Sequence, residues 1–252
     1  MGDNMAFSSA ELERYDRQIR IEDLGISGQS KLKNARVLVV GAGGLGCPAS
    51  LYLVAAGIGH VAVVDKETVE LSNLNRQILH WSNDIGRPKG VSMIEKLRQL
   101  NPEVEVKALQ KTVTNRNVRQ LVKNSTVVVD ALDNWRTRFL LNKACVTEEI
   151  PFVHAGVNAL YGQITTILPG KGPCLQCILP KIPPEEEKFP VLGTTAGTLG
   201  LLAAFETIKI ITGLGEPLVG RMLHFDGEIM SFQEIRVERR RNCSICGSLK
   251  KA

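Results

Sequence analysis

The sequence predicts an α/β fold: a Rossmann-like doubly wound sheet, extended by C-terminal antiparallel strands and carrying a structural zinc site. Three observations predict it. Residues 37–40 are consecutive β-formers that run into Gly41-Ala-Gly-Gly-Leu-Gly46, then an apolar helical pattern over 47–56, then a second apolar strand ending in Asp65. Short apolar runs and helical patterns go on alternating to about residue 157, as parallel strands with crossover helices require. After that the pattern turns to paired extended segments, bracketed by Cys174-Leu-Gln-Cys177 and Cys243-Ser-Ile-Cys246.

At 252 residues, with 44% hydrophobic and 23% charged residues, the chain has the composition of an ordinary soluble globule with an ample core. The net charge of +5 is spread out except at 236–241, and no stretch interleaves aromatics with cations. That argues against a nucleic-acid partner. No charged-then-apolar segment opens the chain, so no signal peptide is expected. The longest apolar run, 199–211, is broken by Glu206 and Lys209 and is expected to be too short for a bilayer. Six cysteines in such a chain argue for metal or thiol chemistry over disulfides, and for a cytoplasmic location.

In chain order, Ser8-Ser-Ala-Glu11 reads as a capping box opening a charged helix over about 10–21. Arg17 lies on it and, taken alone, is a solvated side chain. Gly25 and Gly28 read as breaks, with 29–34 leading into the first strand. In the glycine loop, Gly41 permits the tight turn, Gly43 lets backbone N–H groups approach a phosphate, and Gly46 brings the helix close to the sheet. Asp65 stands about 20 residues further on, where an acid accepts hydrogen bonds from a ribose. The polar stretch 70–77 reads as a loop or short helix at the carboxyl edge of the sheet. Pro88 starts a helix ending at Asn101-Pro102, 104–109 alternates as a strand, and 115–123 reads as a helix. The third core strand, 126–129, delivers Asp130-Ala-Leu-Asp-Asn134. Capping of the next helix is the main expectation for Asp130, and magnesium or the reaction itself for Asp133. Strands follow at 151–157 and 161–168, then a Pro-, Lys- and Glu-rich excursion at 170–190 whose Glu185-Glu-Glu187 reads as a solvated charge run. A long helix over 193–213 and a hairpin turning at Asp226-Gly227 complete the chain.

Paired C-x-x-C knuckles in a reduced chain supply four thiolates, from Cys174, Cys177, Cys243 and Cys246, to a tetrahedral zinc. Such a site has no open position and is structural. Cys47 and Cys145 read as buried fillers. His60, His80, His154 and His224 form no ligand or nucleophile pattern, and no serine has a nucleophile-elbow context.

A dehydrogenase needs a nicotinamide pocket and a proton donor, whereas an ATP enzyme needs cations and a carboxylate for magnesium. The loops after the strands carry Arg76, Arg87, Lys89, Asp130 and Asp133, the second inventory, yet no G-x-x-x-x-G-K-[ST] loop is present. Nucleotidyl transfer, with attack on the α-phosphate and loss of pyrophosphate, fits these residues.

The chain resembles the ThiF/MoeB/HesA group, adenylating enzymes related to ubiquitin-activating enzymes. The resemblance runs from Arg14-Tyr-Asp-Arg-Gln-Ile19 through G-A-G-G-L-G, S-N-L-N-R-Q, G-x-P-K, D-x-x-D-N, Y-G-Q, both knuckles and Ala204-Phe-Glu-Thr-Ile-Lys209. It implies one adenylation domain over 1–252, with a nucleotide-binding core at about 35–157 and a crossover segment at about 178–196. It also implies ATP and Mg²⁺ as ligands, and adenylation of the C-terminal glycine carboxylate of a β-grasp, ubiquitin-like protein ending in Gly-Gly. Such products feed sulfur transfer in molybdopterin or thiamine synthesis or tRNA thiolation, or protein conjugation. Position by position, Gly44 falls in the phosphate loop and Asp65 on the ribose. Asn73, Arg76, Gln77 and Lys89 fall on the phosphates, Asn134 on the nucleotide and Asp133 on magnesium. Arg17 matches an arginine that reaches the neighbouring subunit's ATP site, which implies a homodimer. The knuckle cysteines match zinc ligands.

One departure matters. Relatives often carry a crossover cysteine that forms a thioester or persulfide, and 178–196 has none. Either the reaction stops at the acyl-adenylate, the preferred reading, or Cys47 or Cys145 substitutes. The crossover is then a lid over the substrate tail. Two alternatives stay open: a small-molecule or tRNA-linked carboxylate as acceptor, and a non-catalytic nucleotide-binding homologue. An NAD-dependent oxidoreductase is what the glycine motif alone would suggest.

Overall fold

The structure, a computed structural model, describes residues 7–185 and 189–248. Five strands pair in parallel: β1 (Arg36–Val40), β2 (His60–Val64), β3 (Glu105–Leu109), β4 (Val127–Asp130) and β5 (Phe152–Asn158). Three more, β6 (Tyr161–Ile167), β7 (Arg221–Asp226) and β8 (Ser231–Arg236), continue the same sheet antiparallel. The order across the sheet is β3-β2-β1-β4-β5-β6-β7-β8. Val37 and Val39 face one side, Leu38 and Val40 the other, and all four are buried, so both faces need covering. One face carries α3 (Gly46–Ala55), α4 (Lys89–Leu100) and α8 (Gly193–Thr212). The other carries α5 (Val118–Val122), α6 (Trp135–Thr147) and α7 (Leu175–Ile178), with the four knuckle cysteines in the same apolar cluster. This is the doubly wound sheet with an antiparallel extension that the sequence predicts.

The first helix, α1 (Ser9–Ile19), opens on the expected capping box. Ser8 Oγ accepts the Glu11 N–H at 3.1 Å, and Glu11 Oε2 accepts the Ser8 N–H at 2.8 Å.

Three expectations are corrected. Gly25 and Gly28 do not end helical structure; Gly25, at φ +54°, opens α2 (Gly25–Asn34). Buried Gln29 donates to Ala56 O at 3.0 Å and buried Leu32 joins the core, so tertiary contacts hold a segment of weak propensity in a helix. Asp130 is not a helix cap. It is fully buried at the end of β4, where Oδ2 accepts the His154 Nδ1–H at 2.7 Å, while Asn134 caps α6 by accepting the Thr137 N–H at 3.0 Å. Asn117 Oδ1 accepts the Thr114 N–H at 2.8 Å, and this turn delays α5 to Val118. By length and composition alone α8 is long and apolar enough to cross a membrane, although the apolar run 199–211 within it is shorter, as expected. Here α8 is a core helix. Leu199, Ala203 and Ala204 are buried against the sheet, and Glu206 accepts the Leu218 N–H at 2.7 Å.

Of the Glu185–Glu187 run, Glu186 and Glu187 lie outside the described residues. Glu185 is not simply solvated, because its Oε1 accepts the Arg136 N–H at 2.9 Å at the start of α6.

Candidate functional site

β1 has β2 on one side and β4 on the other, so strand order reverses there. A crevice forms outside the carboxyl ends at such a switch point. Val40 pairs in register with both Val64 and Asp130, so the loops after β1, β2 and β4 start side by side. Gly41 takes φ +109°, and a Cβ there would lie 2.4 Å from Ala131 O. A Cβ on Gly46 would lie 1.9 Å from Gly41 O. Only glycine fits either position, and the tight loop follows from that.

Asp65 closes this loop. Its Oδ2 accepts the Ala42 N–H at 2.7 Å and its Oδ1 the Glu67 N–H at 2.8 Å. Each oxygen keeps a further lone pair for a ligand hydroxyl. The 70–77 stretch forms a 3₁₀ turn, Leu71–Asn73, that Asn73 Oδ1 stabilises by accepting the Glu70 N–H at 3.0 Å. Arg76 Nη1 donates to Ser72 O at 2.8 Å and to Asn75 Oδ1 at 3.0 Å. A Cβ on Gly44 would sit 3.5 Å from Arg76 Cγ, and one on Gly43 would sit 3.7 Å from Gln77 Nε2. The buried Gln77 Oε1 has no hydrogen-bond partner among the described residues. Gly43, Gly44, Arg76 and Gln77 therefore make one cradle, with an unmatched acceptor beside it. That fits a nucleotide better than a closed structural turn.

Lys89 is buried at the start of α4, and its Nζ donates to Glu67 Oε2 at 2.6 Å. A Lys ammonium has three donors, so two remain for phosphate oxygens. The sequence reading missed Glu67, whose only signal was its place two residues past Asp65. Behind Lys89, Asp84 is paired with Arg87 at 2.8 Å and with Lys96. Burial pushes the Asp84 carboxyl up, but Lys96 and the Trp81 N–H more than reverse this and hold it at about 2.

Asp133 is exposed in the β4–α6 loop, where among the described residues its side chain accepts a hydrogen bond from Asn134 Nδ2 at 3.4 Å. It borders a cavity of about 390 Å³ between α6, the β5–β6 edge and the chain after α7. Trp135, Tyr161, Gln163, Phe189 and His224 line its walls. Beneath it runs a buried chain that the sequence reading also missed. Burial holds the His154 pKa down against the pull of Asp130, so the neutral ring donates Nδ1–H to Asp130. Its Nε2 then accepts from Gln163 Nε2 at 3.4 Å. The fold also brings Cys47 to 4.0 Å from His80 Nε2, a pairing invisible in the sequence. Burial pushes the Cys47 thiol up to about 12 and the His80 ring down, and His80 Nε2 lies 2.9 Å from Ala42 O. That is no activated nucleophile. Burial likewise raises Cys145.

Arg17 is exposed on α1. That helix packs near the amino edge of the sheet, with Tyr15 Oη accepting from Asn101 Nδ2 at 2.8 Å and Gln18 donating to Ala56 O at 2.8 Å. Arg17 is therefore not brought to its own chain's crevice.

The four knuckle thiols are buried and unbridged, with all their Sγ atoms within 4.8 Å of one another. Cys174 and Cys243 are 3.7 Å apart, and Cys177 and Cys246 are 3.4 Å apart. A tetrahedral ion with metal–sulfur bonds of about 2.3 Å needs sulfur separations of about 3.8 Å. The donor set is therefore a candidate metal centre. Burial raises the Cys243 thiol, but the N–H groups of Cys246 and Ile245 bring it down to about 7.

Three comparisons bear on this arrangement. The family model described as the ThiF family matches residues 15–246. The SAMP-activating enzyme E1 of Haloferax volcanii is 42% identical over 248 residues, covering 96% of this chain and 92% of that protein. Adenylyltransferase and sulfurtransferase MOCS3 of Culex quinquefasciatus is 44% identical over 242 residues, covering 94% of this chain but 55% of that protein. The chain thus spans about half of the MOCS3 relative. Among solved structures, E. coli MccB with MccA-N7isoASN superposes with a TM-score of 0.86 at 24% identity, covering 98% of this chain and 77% of that one. That last likeness speaks for the fold alone.

Proposed function

The chain belongs to the ThiF family, with relatives named as an activating enzyme and adenylyltransferases, and we propose that it uses ATP to adenylate the C-terminal glycine carboxylate of a ubiquitin-like, β-grasp sulfur carrier. The observation that carries this reading is that the loops after β1, β2 and β4, bearing the glycine turn, Asp65 and Asp133, start side by side, with Lys89 tied to the β2 loop through Glu67 and a tail-sized cavity bordered by Asp133.

The tail lies in that cavity, under residues 183–185 and Phe189, with its carboxylate near Asp133. The carboxylate oxygen attacks the α-phosphorus, an O–P bond forms, and the bond to the bridging oxygen breaks, releasing pyrophosphate. Arg76 and Lys89 neutralise charge building on that leaving group. Asp65 holds the ribose, and Asn73, Gln77 and Asn134 complete the nucleotide pocket. Asp133 would hold Mg²⁺, which screens the phosphates. With 178–196 free of cysteine and the Cys47 and Cys145 thiols raised by burial, the acyl-adenylate is the end product here, passed to an external thiol or sulfide.

We extend the same reading to the rest of the molecule. The four cysteines hold a structural Zn²⁺. The chain works as one adenylation domain and pairs as a homodimer in which Arg17 reaches the partner's nucleotide. Six unbridged cysteines suit the cytoplasm.

The test is ATP–pyrophosphate exchange in the presence of β-grasp proteins ending in Gly-Gly. Exchange that requires the carrier is expected. No exchange with any carrier, together with exchange on a tRNA-linked carboxylate or thermal stabilisation by NAD in place of ATP·Mg²⁺, would overturn the proposal.

A further inference from the structure

The role proposed for Asp133 asks it to hold its position to within about 0.5 Å, yet among the described residues little holds its own side chain. It is exposed, and among the described residues its side-chain hydrogen bond is 3.4 Å long. Its placement has to come from the backbone on either side. On the far side Asn134 is fixed as the cap of α6. On the near side the Leu132 peptide is gripped at both ends. Its N–H donates to Asp130 Oδ1 at 3.1 Å, and its carbonyl accepts from Arg138 Nη2.

Arg138 is unusual in its own right. Its guanidinium is a buried cation on α6 whose Nε lies 3.9 Å from Asp130 Oδ1. It sits 5.0 Å from the centre of the Trp135 ring, and a Cβ on Gly156 would lie 2.8 Å from its Nη1. The glycine on β5 leaves room for the guanidinium where it stands. The carboxylate that it faces is held from the other side by His154. Burying a charge without a partner costs several kcal/mol, so such a cation has a definite place and little freedom to leave it.

We propose that Arg138 is a positioning residue for adenylation: with Asp130 it clamps the Leu132 peptide and so fixes the carboxylate of Asp133 toward the metal and phosphates. The inference rests on the adenylation reading, and it adds a residue that acts only through Asp133. A planar fork is what the position demands, because one edge meets a carbonyl and another a carboxylate while the face meets an indole. Lysine has the charge without that geometry.

The experiment is a double-mutant cycle on the full chain, reading carrier-dependent ATP–pyrophosphate exchange and its Mg²⁺ requirement. Arg138→Met is expected to slow exchange about 10- to 100-fold, the usual range for groups that orient a metal ligand, and to raise the Mg²⁺ concentration needed both for half-maximal rate and for half-maximal ATP binding measured by calorimetry. In an Asp133→Ala background the same change is expected to cost less than about twofold, because the residue through which it acts is gone. Arg138→Lys falls between wild type and Arg138→Met, and it carries the cycle if the Met variant does not fold. Equal losses in both backgrounds, or a variant with full rate and unchanged Mg²⁺ requirement, would overturn the inference while leaving adenylation standing. A wild type with no exchange overturns the adenylation reading and this inference with it.

Discussion

The two halves of the one sheet are held in opposite ways. In the parallel half, β1 and β4 are buried on both faces, and their registers bring the ends of β1, β2 and β4 level. In the antiparallel half, β8 is an exposed edge, with Phe232 51% and Ile235 39% accessible. Past β8, Arg240 donates to Gln176 O at 2.6 Å, and the cysteine cluster ties the chain to the base of α7. The parallel half is positioned by packing and the antiparallel end by a pin. Precision at the crevice follows from the first arrangement, since close-packed interiors transmit rather than absorb displacement.

Variants can break this contrast, starting with the severest. Gly46→Ala places a methyl 1.9 Å from Gly41 O, where two backbones meet and neither can yield. A loss of about 3 kcal/mol or more is expected, seen as little folded protein or a steeply lowered urea midpoint. On the proposed role of Lys89 as a donor to the leaving group, Lys89→Ala should lower exchange about 10²- to 10³-fold while the melting temperature changes little. If both hold, packing and chemistry in the parallel half are separable.

If the four thiols hold the proposed zinc, Cys177→Ser or a chelator should lower the melting temperature by about 10 °C, a loss of about 3 kcal/mol at this size. Hydrogen exchange should rise first in β8 and the following residues, with ATP·Mg²⁺ affinity kept. A simultaneous loss of nucleotide binding would show that the two halves are one cooperative unit.

The Asp84 cluster gives a smaller, pH-dependent effect. Its folded pKa of about 2 lies below the ordinary aspartate value of about 3.9, so its contribution is fully present above that value and lost as pH falls through 2. Asp84→Asn should therefore lower the melting temperature at pH 6 and make no difference near pH 1.5. Last, Cys47→Ala should leave carrier-dependent exchange within about twofold of wild type, since a thiol at about 12 supplies almost no thiolate at neutral pH. A dead Cys47→Ala protein that still folds would restore the thioester alternative.

Much of this was legible in the residues. The strands of the parallel half announce themselves as apolar runs because both faces are covered. The loops after β1, β2 and β4 could be expected at one edge because doubly wound sheets put them there. What escaped notice was set by partners distant in sequence. Gln29 is buried in a helix because of Ala56, Asp130 is a core acid because of His154, and Glu67 matters through Lys89. None of these pairs has a spacing that a helix or strand period would reveal. Arg138, which no sequence pattern singles out, is defined by Leu132 O, Trp135 and Gly156 around it.

By itself the sequence determined the fold class, the glycine turn and the four-thiol constellation, since these depend on local sterics, periodicity and spacing within short stretches. Tertiary structure alone decided which charges are buried, how the loop bearing Asp133 is clamped, and that α8 lies in a protein core. Those outcomes depend on what packs against each group. A side chain's charge state, accessibility and orientation are properties of its neighbours as much as of itself.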